Sequence, residues 1–294
     1  MKALVYHGPG QKSLDERPKP DLQAPTDAIV RVTKTTICGT DLHILKGDVT
    51  TCEPGRILGH EGVGIVEKVG TAVGSFKAGD HVLISCITSC ARCEYCRRGM
   101  YSHCADGGWI LGNTIDGTQA EFVRIPHADN SLHPIPAGAD EEALVMLSDI
   151  LPTGYECGVL NGKVAPGSSV AIVNLVRDLT EGKGVDAAIE AVGVPATFGL
   201  CEELVAPGGV IANVGVHGTK VDLHLEQLWS RNVTITTRLV DTVSTPMLLK
   251  TVEAKRLQPE QLVTHRFALD DILGAYETFS NAAVSQALKV VIAT

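Results

Sequence analysis

The residues that most clearly carry chemistry are four closely spaced cysteines, Cys90, Cys93, Cys96 and Cys104. Their C-x2-C-x2-C-x7-C spacing allows a single loop to wrap four thiolates around a tetrahedral zinc ion. A cubane iron–sulfur cluster is the main alternative, but its bacterial run is C-x2-C-x2-C-x3-C-P. Here the last spacing is seven residues and no proline follows Cys104. The pattern therefore favours zinc, in a closed site whose role is structural.

A second set of potential metal ligands is dispersed along the chain. Cys38 opens the run Cys-Gly-Thr-Asp-Leu-His, and His60 lies in Gly-His-Glu-Gly. A catalytic zinc ion has three protein ligands and keeps one position open, so a third ligand is needed. The best candidate is Asp149, an acid among apolar residues. A Cys–His pair alone often occurs by chance, and a single acid often caps a helix. The joint presence of the three residues favours a zinc site.

Three polar residues near these ligands have candidate roles of their own. The Thr40 hydroxyl could accept the proton of a metal-bound alcohol, and His43 could pass that proton towards solvent. The alternative for His43 is an ordinary surface histidine. Glu61, beside His60, is expected to tune the charge at the metal or to replace a ligand transiently. Other histidines lack partners at informative spacings and are interpreted as structural: His7, His103 and His217.

The secondary-structure pattern changes near the middle of the chain. Residues 1–150 contain short strand-like segments broken by glycine and proline, including 29–32, 62–66 and 81–84, which predict an antiparallel, barrel-like β domain. Residues 151–241 alternate strand and helix, which predicts a parallel sheet. Its strands are expected at 169–173, 186–192 and 209–215, with a helix at 195–205. Residues 242–294 have two helical stretches and a last strand at 287–292.

The composition restricts the possible partners and compartment. Of the 294 residues 44% are apolar, enough for a packed core, and the formal charge of −9 argues against nucleic acid and anionic lipid. No apolar run reaches the length of a membrane helix, and the N-terminal run is too short for a signal peptide. Clustered cysteines fit metal binding in a reducing compartment, so a cytoplasmic location is expected.

Together, these motifs resemble those of the zinc-dependent medium-chain alcohol dehydrogenases. The resemblance rests on Cys38-Gly39-Thr40-Asp41-x-His43, Gly59-His60-Glu61-Gly62-x-Gly64, the four-cysteine lobe and Asp149, and it covers nearly the whole chain. It implies a GroES-like β-barrel catalytic domain that holds zinc and a Rossmann domain that holds NAD or NADP. The aspartate ligand is similar to that of bacterial secondary-alcohol enzymes, some of which lack the cysteine lobe.

The resemblance also implies a reaction and a cofactor cleft. The reaction is hydride transfer between a small alcohol and a nicotinamide, giving an aldehyde or ketone. Family members are often dimers or tetramers, so a homo-oligomer is expected. Five residues would lie along the nicotinamide half of the cleft: Thr153, Val192, Gly193, Val216 and Lys289.

The chain departs from the family in its second domain. A dinucleotide fold needs a glycine-rich turn after its first strand and a selector residue about 20 residues later. The first predicted strand ends at Val173, and residues 175–182 resemble the helix that normally enters the fourth strand. About 50 residues, or two βα units, are therefore missing. Strands 1 and 4 are neighbours in the usual order, so a half-Rossmann sheet remains foldable, with strand 1 as an exposed edge.

Three functions follow as hypotheses. The first is an NAD(P)-dependent zinc alcohol dehydrogenase whose dinucleotide binding is impaired by the missing turn; NAD and NADP cannot be distinguished without the selector residue. The second is a cofactor-free zinc hydrolase or hydratase. The third is a catalytically silent scaffold stabilised by zinc. The absence of the glycine-rich turn is the feature that distinguishes the dehydrogenase hypothesis from the other two. Catalysis is favoured over a scaffold because the whole set of candidate site residues is present: Cys38, Thr40, His43, His60 and Asp149.

Overall fold

The computed structural model describes residues 1–172 and 183–294. It contains two compact units: Met1–Leu151 together with Asp241–Thr294, and Pro152–Val240. We call them the first and second units. The sequence had placed the corresponding changes at residues 150 and 241.

The strands, numbered in chain order, are β1 Lys2–Gly8, β2 Gln11–Glu16, β3 Ala28–Ile37, β4 Gly62–Val69, β5 His81–Ile84, β6 Phe122–Ile125, β7 Leu132–Pro134, β8 Val170–Ala171, β9 Val185–Glu190, β10 Val205–Asn213, β11 Thr234–Thr237, β12 Val263–Ala268 and β13 Lys289–Ala293. The helices are α1 Gly39–Lys46, α2 Glu94–Arg97, α3 Ala128–Ser131, α4 Glu141–Leu144, α5 Ile150–Thr153, α6 Pro195–Leu204, α7 Leu225–Leu228, α8 Thr245–Glu253, α9 Ile272–Ser280 and α10 Ala282–Ser285. Shorter 3-10 turns span Tyr101–His103, Val145–Leu147, Pro259–Leu262 and Leu269–Asp271, and a π-helix spans Gly154–Leu160.

The first unit is built on a mostly antiparallel sheet in the order β12-β13-β3-β4-β5-β7, with β6 also paired to β3. This agrees with the antiparallel β domain expected from the short glycine-bounded strands. The strands predicted at 29–32 and 62–66 are longer in the structure because β3 continues to Ile37 and β4 to Val69. The long β3 pairs with three other strands and brings the chain to the start of α1.

Two aliphatic clusters stabilise this unit. One joins β1, β3, α1, α9 and β13 through residues that include Leu4, Ile37, Ile44, Ile272 and Ile292. The other packs between β3, β4, β5 and β6 and includes Val30, Val66, Val82, Val123 and Ile125. Because few aromatic residues are available, dense packing of branched side chains provides most of the apolar burial.

The second unit contains a four-stranded parallel sheet in the order β11-β10-β9-β8. The predicted adjacency of strands 1 and 4 is confirmed, because Val170 and Ala171 of β8 pair in parallel with Ala187 and Ala188 of β9. Val173 and the predicted helix at 175–182 lie outside the described residues. Among the described strands, β8 is at the edge of the sheet.

The helix predicted at 195–205 is α6, which begins at Pro195 and ends at Leu204. Proline is favoured in the first helical turn because the amide it lacks has no partner there. The strand predicted at 209–215 begins earlier, since Val205 already pairs with Val185 before a register shift. No single helix among the described residues is long and apolar enough to cross a membrane. Two consecutive helical segments, Glu141–Leu147 and Ile150–Leu160, reach that length and hydropathy only when they are taken together, and the chain bends between them.

Candidate active site and metal centres

Cys38 lies at the junction between β3 and α1. Its backbone is extended, and its amide donates a hydrogen bond of 2.9 Å to the carboxylate of Asp41, in the first turn of α1. Gly47 follows the last residue of the helix, and its φ of 87° permits the left-handed turn in which its amide donates to the carbonyl of Ile44. The strand and the two ends of the helix therefore fix the direction of the Cys38 thiol.

His60 and Glu61 immediately precede β4. Asp149 follows Ser148, which is hydrogen-bonded to the first residue of that strand. The Gly62 amide donates to Ser148 Oγ at 3.0 Å, and Ser148 Oγ donates to the Gly62 carbonyl at 3.1 Å. These two bonds tie the segment carrying Asp149 to the segment carrying His60. They are buried, so the two segments are held in register without competition from water.

The structure brings the side chains of Cys38, His60, Glu61 and Asp149 together, with one ligand atom from each lying within 4.8 Å of all the others. His60 Nε2 is 3.2 Å from Asp149 Oδ2, and Cys38 Sγ is 3.6 Å from the same oxygen. With metal–ligand distances of 2.0–2.3 Å, two ligand atoms of a tetrahedral zinc ion lie roughly 3.3–3.7 Å apart. The thiol, imidazole and carboxyl groups therefore fit a zinc ion by both spacing and chemistry.

The electrostatics around His60 are those of a buried site rich in acids. Burial lowers the pKa of His60, but the hydrogen bond with Asp149 and the adjacent Cys38 outweigh burial and raise that pKa well above its ordinary value. The other ring nitrogen, Nδ1, faces Asp41 Oδ1 at 3.9 Å, and neither buried atom has a hydrogen-bond partner in the part of the chain that the structure describes. Burial also raises the pKa of Asp41. A divalent cation would offset this concentration of anionic groups.

Glu61 is held from one side only. Its Oε2 accepts hydrogen bonds from the Lys289 ammonium at 2.6 Å and from the Thr36 hydroxyl. Its Oε1 is buried and accepts no hydrogen bond from the described residues. Lys289 is 2% exposed; burial lowers its pKa, but Glu61 more than compensates and raises it above the ordinary value. The structure thus places the Lys289 ammonium on Glu61.

This buried ion pair predicts a large effect on stability. Replacing Lys289 with methionine is expected to lower the free energy of unfolding by roughly 3–5 kcal/mol, because the Glu61 carboxylate then remains buried without its cation. The double variant Glu61→Gln/Lys289→Met should recover most of that loss. Urea denaturation with zinc in excess measures both. Lys68→Met, which breaks the exposed pair with Asp21, is the control and should change little. A single Lys289 variant as stable as the unmodified protein would contradict the expectation.

The two candidate proton carriers have different surroundings. Thr40 Oγ1 is 3.7 Å from Cys38 Sγ, so its hydroxyl lies beside a candidate metal ligand. His43 is on the same helix, and its Nδ1 is 2.8 Å from Asp48 Oδ2. The His43 side chain is only 12% exposed, which differs from an ordinary surface histidine. Asp48 fixes the orientation of the His43 ring.

Two residues of this site were missed in the sequence. The Cys86 thiol is 2% exposed and donates to Asp149 Oδ1 at 3.6 Å, and burial raises its pKa well above the ordinary value. Asp41, which the sequence motif contains without an assigned role, both caps α1 and faces His60. The Cys-x-x-Asp spacing of Cys38 and Asp41 resembles an N-cap pattern and could have revealed the second residue. Nothing in the local sequence marks Cys86.

The four remaining candidate ligands, Cys90, Cys93, Cys96 and Cys104, form a separate group. Sγ of Cys90 and Sγ of Cys96 are 4.0 Å apart, and one ligand atom of each residue lies within 4.8 Å of the others. Backbone amides point at the sulfur atoms: Cys96 donates to Cys93 Sγ at 3.4 Å and Cys90 donates to Cys104 Sγ at 3.3 Å. Hydrogen bonds from the amides of Ala105 and Cys96 lower the pKa of Cys93 to about 6, whereas burial raises the pKa values of Cys96 and Cys104.

This geometry predicts the metal content of a cysteine variant. Cys104→Ser should reduce the zinc content from two ions to one per chain and lower the melting temperature, because a four-thiolate zinc ion supplies folding free energy directly. Elemental analysis by mass spectrometry and a thermal melt measure the two effects. Cys52→Ser is the matched control, since Cys52 is buried and outside both ligand groups. Two zinc ions in Cys104→Ser, or iron in the unmodified protein, would refute the assignment.

Three candidate cofactor residues, Val192, Gly193 and Val216, lie after the carboxyl ends of β9 and β10, where open parallel sheets bind ligands. Gly193 has a φ of +85°, and a side-chain carbon there would be 1.9 Å from the carbonyl oxygen of Val216. The two backbones are thus in direct contact, and Val192 is half exposed beside them. Thr153 is the last residue of α5.

Glu190 is a further residue that sequence reasoning missed. It is fully buried at the end of β9, and its Oε1 accepts hydrogen bonds from the amides of Val192 at 3.0 Å and Gly193 at 2.8 Å. The Thr197 hydroxyl donates to the same oxygen at 2.6 Å. Glu190 therefore holds the turn that contacts Val216.

Family models match both parts of the chain. The alcohol dehydrogenase GroES-like domain matches residues 24–137, and the zinc-binding dehydrogenase domain matches residues 160–253. An alcohol dehydrogenase from Cupriavidus necator is 33% identical over 96% of this chain and 95% of its own length. The chain belongs to the zinc-dependent medium-chain alcohol dehydrogenases. It is therefore an oxidoreductase by family, with a GroES-like domain and a Rossmann-type domain.

Other members of the family support the same assignment. An apo zinc-dependent alcohol dehydrogenase 2 from Streptococcus pneumonia is similar in structure, with a TM-score of 0.95, 48% identity, and coverage of 100% of this chain and 98% of that chain. A protein named NADP-dependent isopropanol dehydrogenase from Thermoanaerobacter brockii is 30% identical over 94% of this chain and 95% of its own length. The alignment with the Cupriavidus necator relative spans 352 residues although this chain has 294, so the relative contains a stretch without a counterpart here.

Proposed function

We propose that this alcohol dehydrogenase family member interconverts small alcohols, secondary alcohols included, with the corresponding aldehydes or ketones by hydride transfer, and that it binds a dinucleotide only weakly. One observation carries the catalytic part: Cys38 Sγ, His60 Nε2 and Asp149 Oδ2 converge at distances suited to zinc. The secondary-alcohol part is supported by the aspartate ligand and by the relative named isopropanol dehydrogenase.

The candidate site residues of the first unit have distinct roles in this proposal. Cys38, His60 and Asp149 would hold the zinc ion. Glu61, whose Oε1 has no hydrogen-bond partner among the described residues, would be able to replace one of these ligands transiently. When bound, zinc supplies Lewis acidity that lowers the pKa of an alcohol. Thr40 Oγ1 accepts the alcohol proton, and His43, oriented by Asp48, passes it towards solvent.

The second unit supplies groups for only one half of a dinucleotide, the nicotinamide half. The contact between Gly193 and Val216 supports a formed nicotinamide half of the cleft. The sequence between β8 and β9 contains no Gly-x-Gly-x-x-Gly turn, so the amides that bind a pyrophosphate are not supplied there. NAD and NADP remain alternatives because the selector residue is also missing.

Oxidation of 2-propanol by the unmodified chain and by Thr40→Val tests the proposal. With NAD or NADP in millimolar excess, the unmodified chain should produce acetone, and Thr40→Val should lose most of that activity while keeping its zinc. Val has the same β-branched shape as Thr and lacks only the hydroxyl, so the variant isolates the loss of the proton acceptor. Hydrolysis of an ester without any cofactor, or bound zinc with no turnover of alcohol, aldehyde or ester, would instead support a hydrolase or a scaffold.

A further inference from the structure

The buried Cys86 thiol has no role in the reaction described above, yet it contacts a candidate metal ligand. It lies two residues beyond β5 and donates to Asp149 Oδ1 at 3.6 Å. The opposite oxygen of the same carboxylate, Oδ2, is the one that faces Cys38 and His60. The two oxygens of Asp149 thus have separate partners, one on the metal side and one on the Cys86 side.

Cys86 is outside the group of four residues whose ligand atoms lie within 4.8 Å of one another. It is therefore placed as a neighbour of a ligand and not as a ligand. Outer hydrogen-bond donors of this kind orient metal-binding carboxylates, and their loss typically weakens metal affinity by roughly 10–100-fold.

The backbone around Cys86 is rigid enough for this role. Its amide donates to the carbonyl of Ser148 at 3.1 Å, directly beside Asp149 in the chain. Ser148 is in turn bonded through its hydroxyl to both backbone groups of Gly62. The thiol and the carboxylate are thus fixed to the same small network, and 2% exposure of Cys86 keeps water from replacing the thiol.

We propose that Cys86 is a positioning residue that holds Asp149 Oδ1 away from the metal, so that Asp149 binds zinc through Oδ2 alone. A carboxylate that binds through both oxygens would occupy two coordination positions. The S–H donor prevents this by keeping Oδ1 engaged, and one position remains open for the substrate oxygen. The inference rests on the proposed zinc site, and it adds a residue that no sequence spacing connects to the ligands.

Zinc affinity measured by competition with a chromophoric chelator tests this role in three variants. Cys86→Ala removes the donor and should weaken binding at the Cys38 site by roughly 10–100-fold. Cys86→Ser keeps a donor of similar size and should remain within a few-fold of the unmodified protein. Cys52→Ala is the matched control, because Cys52 is a buried thiol that donates to the Gly112 carbonyl at 3.7 Å, outside both ligand groups. It should leave zinc affinity unchanged.

Cobalt substitution provides a second readout that loss of packing alone would not move. The visible spectrum of Co²⁺ at the Cys38 site reports coordination number, so Cys86→Ala should shift it from four-coordinate towards five-coordinate while Cys86→Ser should not. Unchanged affinity and spectrum in Cys86→Ala would overturn the inference, as would a Cys86→Ser variant as impaired as Cys86→Ala. Failure of the unmodified protein to bind metal at Cys38 would instead overturn the proposed function itself.

Discussion

Replacing Cys38 with serine is expected to remove one zinc ion per chain and nearly all alcohol oxidation. The Cys38 thiol belongs to the ligand group and lies 3.6 Å from Asp149 Oδ2. Serine is a poor substitute for it as a zinc ligand, because the serine hydroxyl stays protonated at neutral pH. If the metal contributes about 4 kcal/mol of transition-state stabilisation, turnover falls roughly 10³-fold. Elemental analysis and steady-state oxidation of 2-propanol are the two measurements.

The controls for this prediction separate the two metal centres. Asp149→Asn should resemble Cys38→Ser, because a neutral amide replaces the anionic oxygen that faces both Cys38 and His60. Cys52→Ser should keep both zinc ions and full activity. A Cys38→Ser variant that retains two zinc ions and oxidises alcohol at the unmodified rate is incompatible with the proposed site.

Titration with NADH is expected to show no saturation in the micromolar range. Hydrogen bonds to a charged group contribute about 1.5–3 kcal/mol each, so loss of two pyrophosphate contacts weakens binding roughly 10²- to 10⁴-fold. The sequence between β8 and β9 contains no Gly-x-Gly-x-x-Gly run that could make those contacts. The increase in NADH fluorescence on binding measures the affinity.

Reduced nicotinamide mononucleotide sharpens this experiment, because it carries the nicotinamide without the adenosine half. If only the nicotinamide half of the cleft is formed, around Gly193 and Val216, the mononucleotide and NADH should bind with similar affinity. NADH could instead bind with micromolar affinity and much more tightly than the mononucleotide. Another part of the chain would then anchor the pyrophosphate, and the prediction of impaired dinucleotide binding would be wrong.

Local sequence signals were sufficient for much of the fold. The parallel strands of the second unit and the start of α6 at Pro195 follow from short-range patterns that the structure bears out. The four clustered cysteines also needed no knowledge of tertiary structure, because their spacing alone brings them together. The early start of β10 at Val205 was not predictable, since it depends on pairing with Val185 of another strand.

The site residues that could not be predicted from the sequence depend on contacts between segments that are distant along the chain. Lys289 and Glu61 are 228 positions apart, and Cys86 and Asp149 are 63 apart, so no periodicity connects either pair. Burial decides their importance: an exposed lysine or cysteine in the same sequence context would be unremarkable. Glu190 was missed for a similar reason, because an acid at the end of a strand becomes informative only when its carboxylate is seen to hold the following turn.

X-ray diffraction recorded on both sides of the zinc absorption edge is the decisive test of the proposed catalytic zinc site. Two anomalous peaks per chain are expected in the purified protein. One peak should lie among Cys90, Cys93, Cys96 and Cys104, and the other within bonding distance of Cys38 Sγ, His60 Nε2 and Asp149 Oδ2. A single peak at the four cysteines, in protein prepared with zinc in excess, would contradict the proposed catalytic centre.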